Sequence, residues 1–316
     1  MIGVICGDVI GSRYEALEVK EIKKQRRYVD AQKELDPNFD DSKIIRHRTY
    51  DDRIKVMTDD LFYPDITYTD DTVLSVALCD ALLHDRDYKK YLLTYGKDEV
   101  KKKEDMYGRA RFGKGFTAWL LCDGYVEEGK ESFGNGSAMR VAPIGWMFDT
   151  IEETLEEAKK SAMPSHGHEE GIKGAQAVAA SIYLARNNFS KEDIKTYIEE
   201  TFNYDLDKDL DELRTNYSFN SSCQGSVPEA IYCFLESDNF TDSLRKAISI
   251  GGDSDTIAAM TGAISEAYYG LDIDVAKRCM EYVPEEFIPV LEDYYKLVEP
   301  DFDFSSVCDF NNEEEL

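Results

Sequence analysis

Apolar residues recur along this chain with the period of an α-helix almost from end to end, and that pattern narrows the fold more than any other feature. Val73-Leu74, Val76-Ala77-Leu78 and Ala81-Leu82-Leu83 repeat at helical spacing behind a Thr-Asp-Asp-Thr cap. Comparable amphipathic runs cover 151–163, 168–186, 191–202, 227–236, 241–249, 256–269, 274–282 and 285–298, while alternating strand-like segments are scarce. Asp30 to Arg48 is the main irregular stretch. Two of the helical runs are rich in small residues, Gly174-Ala175-Ala177-Ala179-Ala180 and Ala258-Ala259-Gly262-Ala263. Small side chains let helix axes approach closely, which places both runs at the centre of a helical domain. No linker rich in Pro, Gly or Ser divides the 316 residues, a length within reach of one large domain. The expectation is therefore an all-α fold: one compact globular domain of many helices over 1–298, followed by an acidic C-terminal tail, 299–316, whose end frays.

Composition removes several classes of function. A net charge of −27 argues against a nucleic-acid partner, because sequence-independent binding to phosphate backbones rests on Lys and Arg. The two basic clusters, Lys20 to Arg27 and Lys101 to Lys103, are short, sit among acids and read as solvated faces. No apolar run approaches the ~20 residues of a membrane span; the nearest is Ala177 to Ala185. The segment Met1 to Asp8 lacks a basic region and meets a charge too early for a signal peptide. Seven cysteines without a Cys-x-x-Cys read as reduced thiols, so the expected compartment is the cytoplasm. Some of the acidity can serve a hard cation, since Mg²⁺ takes oxygen ligands.

Four segments carry the chemical signal. Gly7-Asp8-Val9-Ile10-Gly11 puts two glycines four apart beside an Asp, with Glu15 about one turn further on. Tyr68-Thr69-Asp70-Asp71-Thr72 stands directly before an apolar helix. A helix cap needs only one such side chain, whereas two adjacent carboxylates repel each other until something cationic neutralises them. Ile250-Gly251-Gly252-Asp253-Ser254-Asp255-Thr256-Ile257 opens a second apolar helix, and Asp71-Thr72 and Asp255-Thr256 are the same dipeptide at two helix mouths. If the two mouths converge, four carboxylates and at least two hydroxyls surround one cavity, a suitable cage for two hard cations. Gly134-Asn135-Gly136-Ser137 offers backbone N–H groups suited to phosphate oxygens.

Other readings fail on particular residues. Thr58-Asp59-Asp60 is followed by Pro64, which spoils a helix start, and is treated as a decoy. Gly108 to Gly115 nearly spells a phosphate-binding loop but has Gly where the metal-binding Ser or Thr belongs. The Asp253 loop lacks the later acidic ligand of an EF-hand. No Gly-x-Ser-x-Gly elbow is present. His166 and His168 have no further ligands to complete a zinc set and read as a loop feature.

Taken together, these motifs resemble the ADP-ribosylglycohydrolase family. The matching segments come in family order: Gly7-Asp8-x-x-Gly11 with Glu15, Thr69-Asp70-Asp71-Thr72, a Gly-rich 107–119 segment ending in Trp119, Gly134 to Arg140, Ser165-His166, and Gly252 to Thr256. The resemblance implies an all-α fold with a dinuclear magnesium centre, manganese being the other candidate. It implies Thr69, Asp70, Asp71, Asp253, Asp255 and Thr256 as ligands, and Glu15 as an acid that reaches the metal or the ribose. Catalytic roles would fall to Glu15, Asp71 and Asp255. Asn135, Gly136 and Ser137 would hold the pyrophosphate, His166 would lie near the adenosine end, and Gly252 and Ser254 would complete the substrate site. Ser254 departs from a familiar Thr but keeps the hydroxyl. The charged segment 18–66 has no counterpart in the pattern and is a place where the acceptor side can differ. The implied reaction is hydrolysis of the bond joining ADP-ribose to a protein side chain or a small molecule. Two alternatives stand beside it: a metal-dependent hydrolase of another nucleotide-sugar or N-glycosidic bond, and a non-catalytic homologue, which the two intact metal motifs disfavour. The motifs name neither the acceptor nor the oligomeric state.

Overall fold

Gly3, Gly7 and Gly11 fall at four-residue intervals on one face of the Ile2–Gly11 helix, and that face meets the Ser254–Tyr269 helix backbone to backbone. A Cβ on Gly3 would overlap the carbonyl of Gly262, and one on Gly7 the carbonyl of Ala258. A Cβ on Gly11 would stand 2.6 Å from the Cα of Asp255. The pair forms the axis of the molecule. Every residue of the first helix is buried, as is Ser254 to Glu266 of the second, the burial expected of helices that are apolar or small on all sides.

The computed structural model describes residues 1–15, 50–64, 66–102, 112–125 and 131–308. The irregular stretch Asp30 to Arg48, the basic cluster from Lys20 and part of the Gly-rich 107–119 segment lie outside the described residues. Around the axis pack the Glu169–Arg186, Cys223–Leu235 and Phe240–Ile250 helices. The Asp70–Leu83 helix lies against the first helix and is backed by Tyr88–Lys101 and Ile288–Val298. Among the described residues there is no strand, only an isolated antiparallel bridge between Gly134 and Ser222. The all-α expectation holds, and the small-residue runs at 174–180 and 258–263 do lie in the core.

Helix boundaries follow the sequence pattern closely where side-chain caps exist. Ser190 and Asp193 form a reciprocal capping box at the head of Lys191–Phe202, and Thr150 caps Ile151–Ala162. The run expected from 227 begins instead at Cys223, carrying Pro228 inside the helix. Tertiary bonds hold the additional turn: the Cys223 amide donates to Phe133 O at 2.9 Å, and its thiol to Gly134 O at 3.2 Å. Beyond Val298 the chain still packs as far as Val307, with Phe302 and Phe304 ringing Tyr295 at 4.8 and 5.7 Å.

At the far end of the axis Glu266 is buried and accepts from the Met1 ammonium at 2.6 Å, from the Gly3 amide at 2.8 Å and from the Tyr295 hydroxyl. Removing one partner of a buried charge pair leaves the other uncompensated, at a cost of about 3–5 kcal/mol. Glu266→Ala should therefore lower the unfolding free energy, read from the urea midpoint, by an amount of that order without touching the chemistry at Asp255, 11 residues upstream. An unchanged midpoint would show that the pair is not formed in solution.

Candidate active site

Three helices deliver one carboxylate each to a single buried point. Asp8 comes from the middle of the first helix, Asp71 from the head of Asp70–Leu83 and Asp255 from the head of Ser254–Tyr269. One oxygen of each lies within 4.8 Å of the others. The glycine contact explains the convergence, because the close approach at Gly11 sets the Asp255 backbone directly beside the first helix.

Asp8 has a second task. Its Oδ2 accepts from the Thr69 amide (2.8 Å), the Thr72 amide (3.1 Å) and the Thr72 hydroxyl (2.5 Å), and its Oδ1 accepts from the Thr69 hydroxyl at 2.7 Å. Two of the four free N–H groups at a helix start are thus satisfied from another helix. Thr69 Oγ1, the local N-cap, accepts weakly from the Asp71 amide at 3.4 Å. Asp8→Asn would turn a donor toward donors and should cost about 1–3 kcal/mol, read as a fall in melting temperature together with weaker Mg²⁺ binding. Normal stability and metal affinity in that variant would dismiss the bracing role.

The electrostatics are those of a site built for positive charge. Burial, then the charges of Asp8 and Asp255, pushes the Asp71 carboxyl well above the usual range. Burial, then Asp255 and Asp8, does the same to half-buried Asp70. Asp253 is raised to about 7 by burial and by the nearby charge of Glu15. Burial raises Asp8 as well, against the pull of its Thr69 and Thr72 bonds. Asp71 Oδ2 accepts from the Thr256 hydroxyl at 3.2 Å and lies as far from the Thr69 hydroxyl, whose hydrogen goes to Asp8, yet Oδ1 is buried with no hydrogen-bond partner. Buried polar atoms are almost always paired. A carboxylate with one unpaired oxygen, grouped with two others and with threonine hydroxyls at hand, is a donor set that fits a hard cation.

Asn135 donates its side-chain amide to Asp253 Oδ2 at 2.8 Å and to Ser226 at 3.2 Å, tying the Gly-rich loop to the second metal motif. Ser137 is buried and donates to Gly171 O at 2.7 Å, so its hydroxyl holds the loop down. His166 lies under that loop: a Cβ on Gly136 would come within 3.0 Å of its Nε2. Ser254 donates to Gly11 O at 3.0 Å, and Gly252 adopts φ +74°, where a Cβ would meet the ring of Tyr217. Glu15 is half-buried and near enough to raise Asp253 by its charge. His168, the other half of the His-x-His, caps the Glu169–Arg186 helix through Nδ1. Thr58-Asp59-Asp60 lies away from the cluster, with Asp60 paired to Arg278 at 3.3 Å.

Sequence reasoning quoted Asp8 but did not place it among the carboxylates of the site; its position between two glycines was the available signal. Arg53 was not singled out at all. Its guanidinium donates to Ser249 O at 3.3 Å and to Ile250 O, the last carbonyls before Gly251-Gly252-Asp253. A cation at a helix C-terminus is favoured by the dipole, but nothing in the local sequence around Arg53 points to that partner.

The ADP-ribosylglycohydrolase family model matches residues 1–302. ADP-ribosylhydrolase ARH3 of Homo sapiens is 28% identical over 329 residues, covering 86% of this chain and 85% of its own length. ADP-ribosylarginine hydrolase Tri1 of Pseudomonas putida is 24% identical over 225 residues, covering 65% of this chain and 59% of its own. A solved structure described as an ADP-ribosylglycohydrolase-related protein complex superposes with a TM-score of 0.58 over 94% of this chain and 93% of that one, at 20% identity, a likeness of fold. With the carboxylates, the Gly-rich loop and the axis glycines all inside the matched span, the chain belongs to the ADP-ribosylglycohydrolase family.

Proposed function

We propose that this protein hydrolyses the glycosidic bond joining ADP-ribose to a protein side chain or small molecule, using two magnesium ions, with manganese as the alternative. Membership of the family makes it a hydrolase of ADP-ribosyl linkages. The observation that carries the metal is the buried trio Asp8, Asp71 and Asp255, with one orphaned oxygen on Asp71. Thr69, Asp70 and Asp71 from one helix mouth and Asp253, Asp255 and Thr256 from the other would hold the ions, with Asp8 bracing the first mouth. Such ions supply Lewis acidity and a water of lowered pKa.

The chain's own groups do the rest. Asn135 holds Asp253 in place, so that the Gly-rich loop and the second metal motif are tied into one unit. The Gly134 and Asn135 amides are spent on Ser132 Oγ and Ser221 O, so the N–H groups that the loop would offer a pyrophosphate are those of Gly136 and Ser137. Glu15 stands at the edge of the cluster, where it can orient the ribose or take a proton from the attacking water. Asp71 and Asp255 reach the cluster from opposite mouths, so both are needed to assemble it.

Release of ADP-ribose from arginine- and serine-linked peptides, with Mg²⁺ and with EDTA, tests the reading. Metal-dependent release from either class is the expected result, and the better substrate names the acceptor. Stoichiometric Mg²⁺ binding without release from any ADP-ribosylated substrate would move the reaction to another nucleotide glycoside.

A further inference from the structure

We propose that Arg140 and Ser165 are positioning residues that hold His166 in a single tautomer, its one ring proton on Nε2, so that the ring donates to an oxygen of the bound nucleotide. The proposal rests on the functional reading above for the identity of that nucleotide, while the tautomer follows from this chain's hydrogen bonds alone.

Arg140 is 0% exposed and follows the Gly-rich loop by three residues. It is a donor only. Its Nη2 donates to Ser165 Oγ at 2.8 Å and to Ser161 O at 3.0 Å, while Nε and Nη1 are buried without partners. Burial pulls its pKa down to about 9, which still leaves it charged at neutral pH. A buried cation with so few bonds is costly, so its position asks for a reason beyond packing.

Ser165, itself buried, supplies that reason. Its Oγ lies 2.8 Å from His166 Nδ1. The hydroxyl already accepts from Arg140, and its single hydrogen has one neighbour to go to, the imidazole Nδ1. Were Nδ1 protonated, Oγ would accept twice and its hydrogen would be stranded at a buried site, against the rule that such groups are paired. The chain of donation therefore runs Arg140 to Ser165 to Nδ1, and the proton of the neutral ring sits on Nε2. Burial and the charge of Arg140 both press His166 well below the ordinary histidine range, so the ring stays neutral.

Nε2 faces the loop. It would lie 3.0 Å from a Cβ at Gly136 and 3.5 Å from one at Gly134. No group among the described residues pairs with it. An N–H donor without a protein partner, neutral and backed by a fixed relay, suits an acceptor oxygen that lies along the Gly134–Gly136 backbone. A neutral donor also binds equally well on either side of pH 6.5, the ordinary histidine pKa.

The first measurement is a long-range ¹H–¹⁵N correlation on the ligand-free protein, in which His166→Gln identifies the His166 signals among four histidines. The expected spectrum shows a pyrrole-type Nε2 and a pyridine-type Nδ1 that do not titrate between pH 5.5 and 8. Ser165→Ala should give mixed tautomers and bind ADP-ribose about tenfold more weakly by calorimetry, a loss equal to one hydrogen bond, and Ser165→Thr should restore both. A protonated Nδ1 in the unaltered protein, or an unchanged single tautomer and unchanged affinity in Ser165→Ala, overturns the proposal. If the tautomer is as expected but the unaltered protein does not bind ADP-ribose, the relay stands and the functional reading falls.

Discussion

Asp71→Asn is expected to make the metal-free protein more stable and the enzyme inactive. Asn can still accept from the Thr256 hydroxyl through its oxygen. Its NH₂ then takes the place of the orphaned Oδ1, on a side chain grouped with the carboxylates of Asp8 and Asp255. One mutual repulsion is removed, and a neutral amide replaces a buried carboxylate. Exchanges of this kind at functional sites commonly raise stability by about 0.5–2 kcal/mol. The same change removes a charged ligand, so a metal's contribution of several kcal/mol is lost, roughly a 10³-fold fall in kcat. Thermal melts with and without Mg²⁺ separate the two effects: the unaltered protein should gain stability from the ion by mass action, and the variant should not. Asp255→Ala should likewise lose both ion binding and turnover. A variant that melts lower than the unaltered protein in EDTA, or that still gains stability from Mg²⁺, would refute the carboxylate cage.

Gly7→Ala should abolish cooperative folding. The added methyl would overlap the carbonyl of Ala258, and the atom in the way is backbone rather than a side chain that can rotate aside. Overpacking of a core costs about 1–3 kcal/mol and more where nothing can yield, and here the two axis helices would have to separate. Separation would also pull Asp255 away from Asp8 and Asp71, so any folded fraction should bind metal poorly. Gly115→Ala is the control. Nothing lies within 4 Å of its added Cβ, and the residue sits in the Lys114–Leu121 helix. There the replacement should be neutral or stabilise by up to about 1 kcal/mol. Comparable chemical-denaturation midpoints for both variants would mean that the axis contact is looser than the structure has it.

Much of the fold is local and therefore legible in the residues themselves. Helical periodicity, capping side chains at Ser190, Thr150 and Thr69, and small-residue runs mark most helices to within a few residues. The Cys223–Leu235 helix shows where that fails: its first turn is held by Phe133 and Gly134, about 90 residues away, and local rules stop at the proline. The site divides in the same way. Two Asp-Thr helix mouths announce paired carboxylates by their chemistry, because like charges side by side ask for a cation wherever they occur in a chain.

What the residues alone determined, then, is the all-α class, the two acidic helix mouths and the glycine-bearing loop, since each depends on neighbours within a turn or two. The tertiary structure decided that the mouths meet, that Asp8 joins and braces them, that Arg53 caps the approach to Gly251, and that Arg140 reaches Ser165 and His166. Each of those contacts joins residues at least 20 positions apart, and the meeting of the mouths rests on a backbone-to-backbone packing of two helices. Such a contact depends on the relative placement of whole helices, and no window of sequence contains that information.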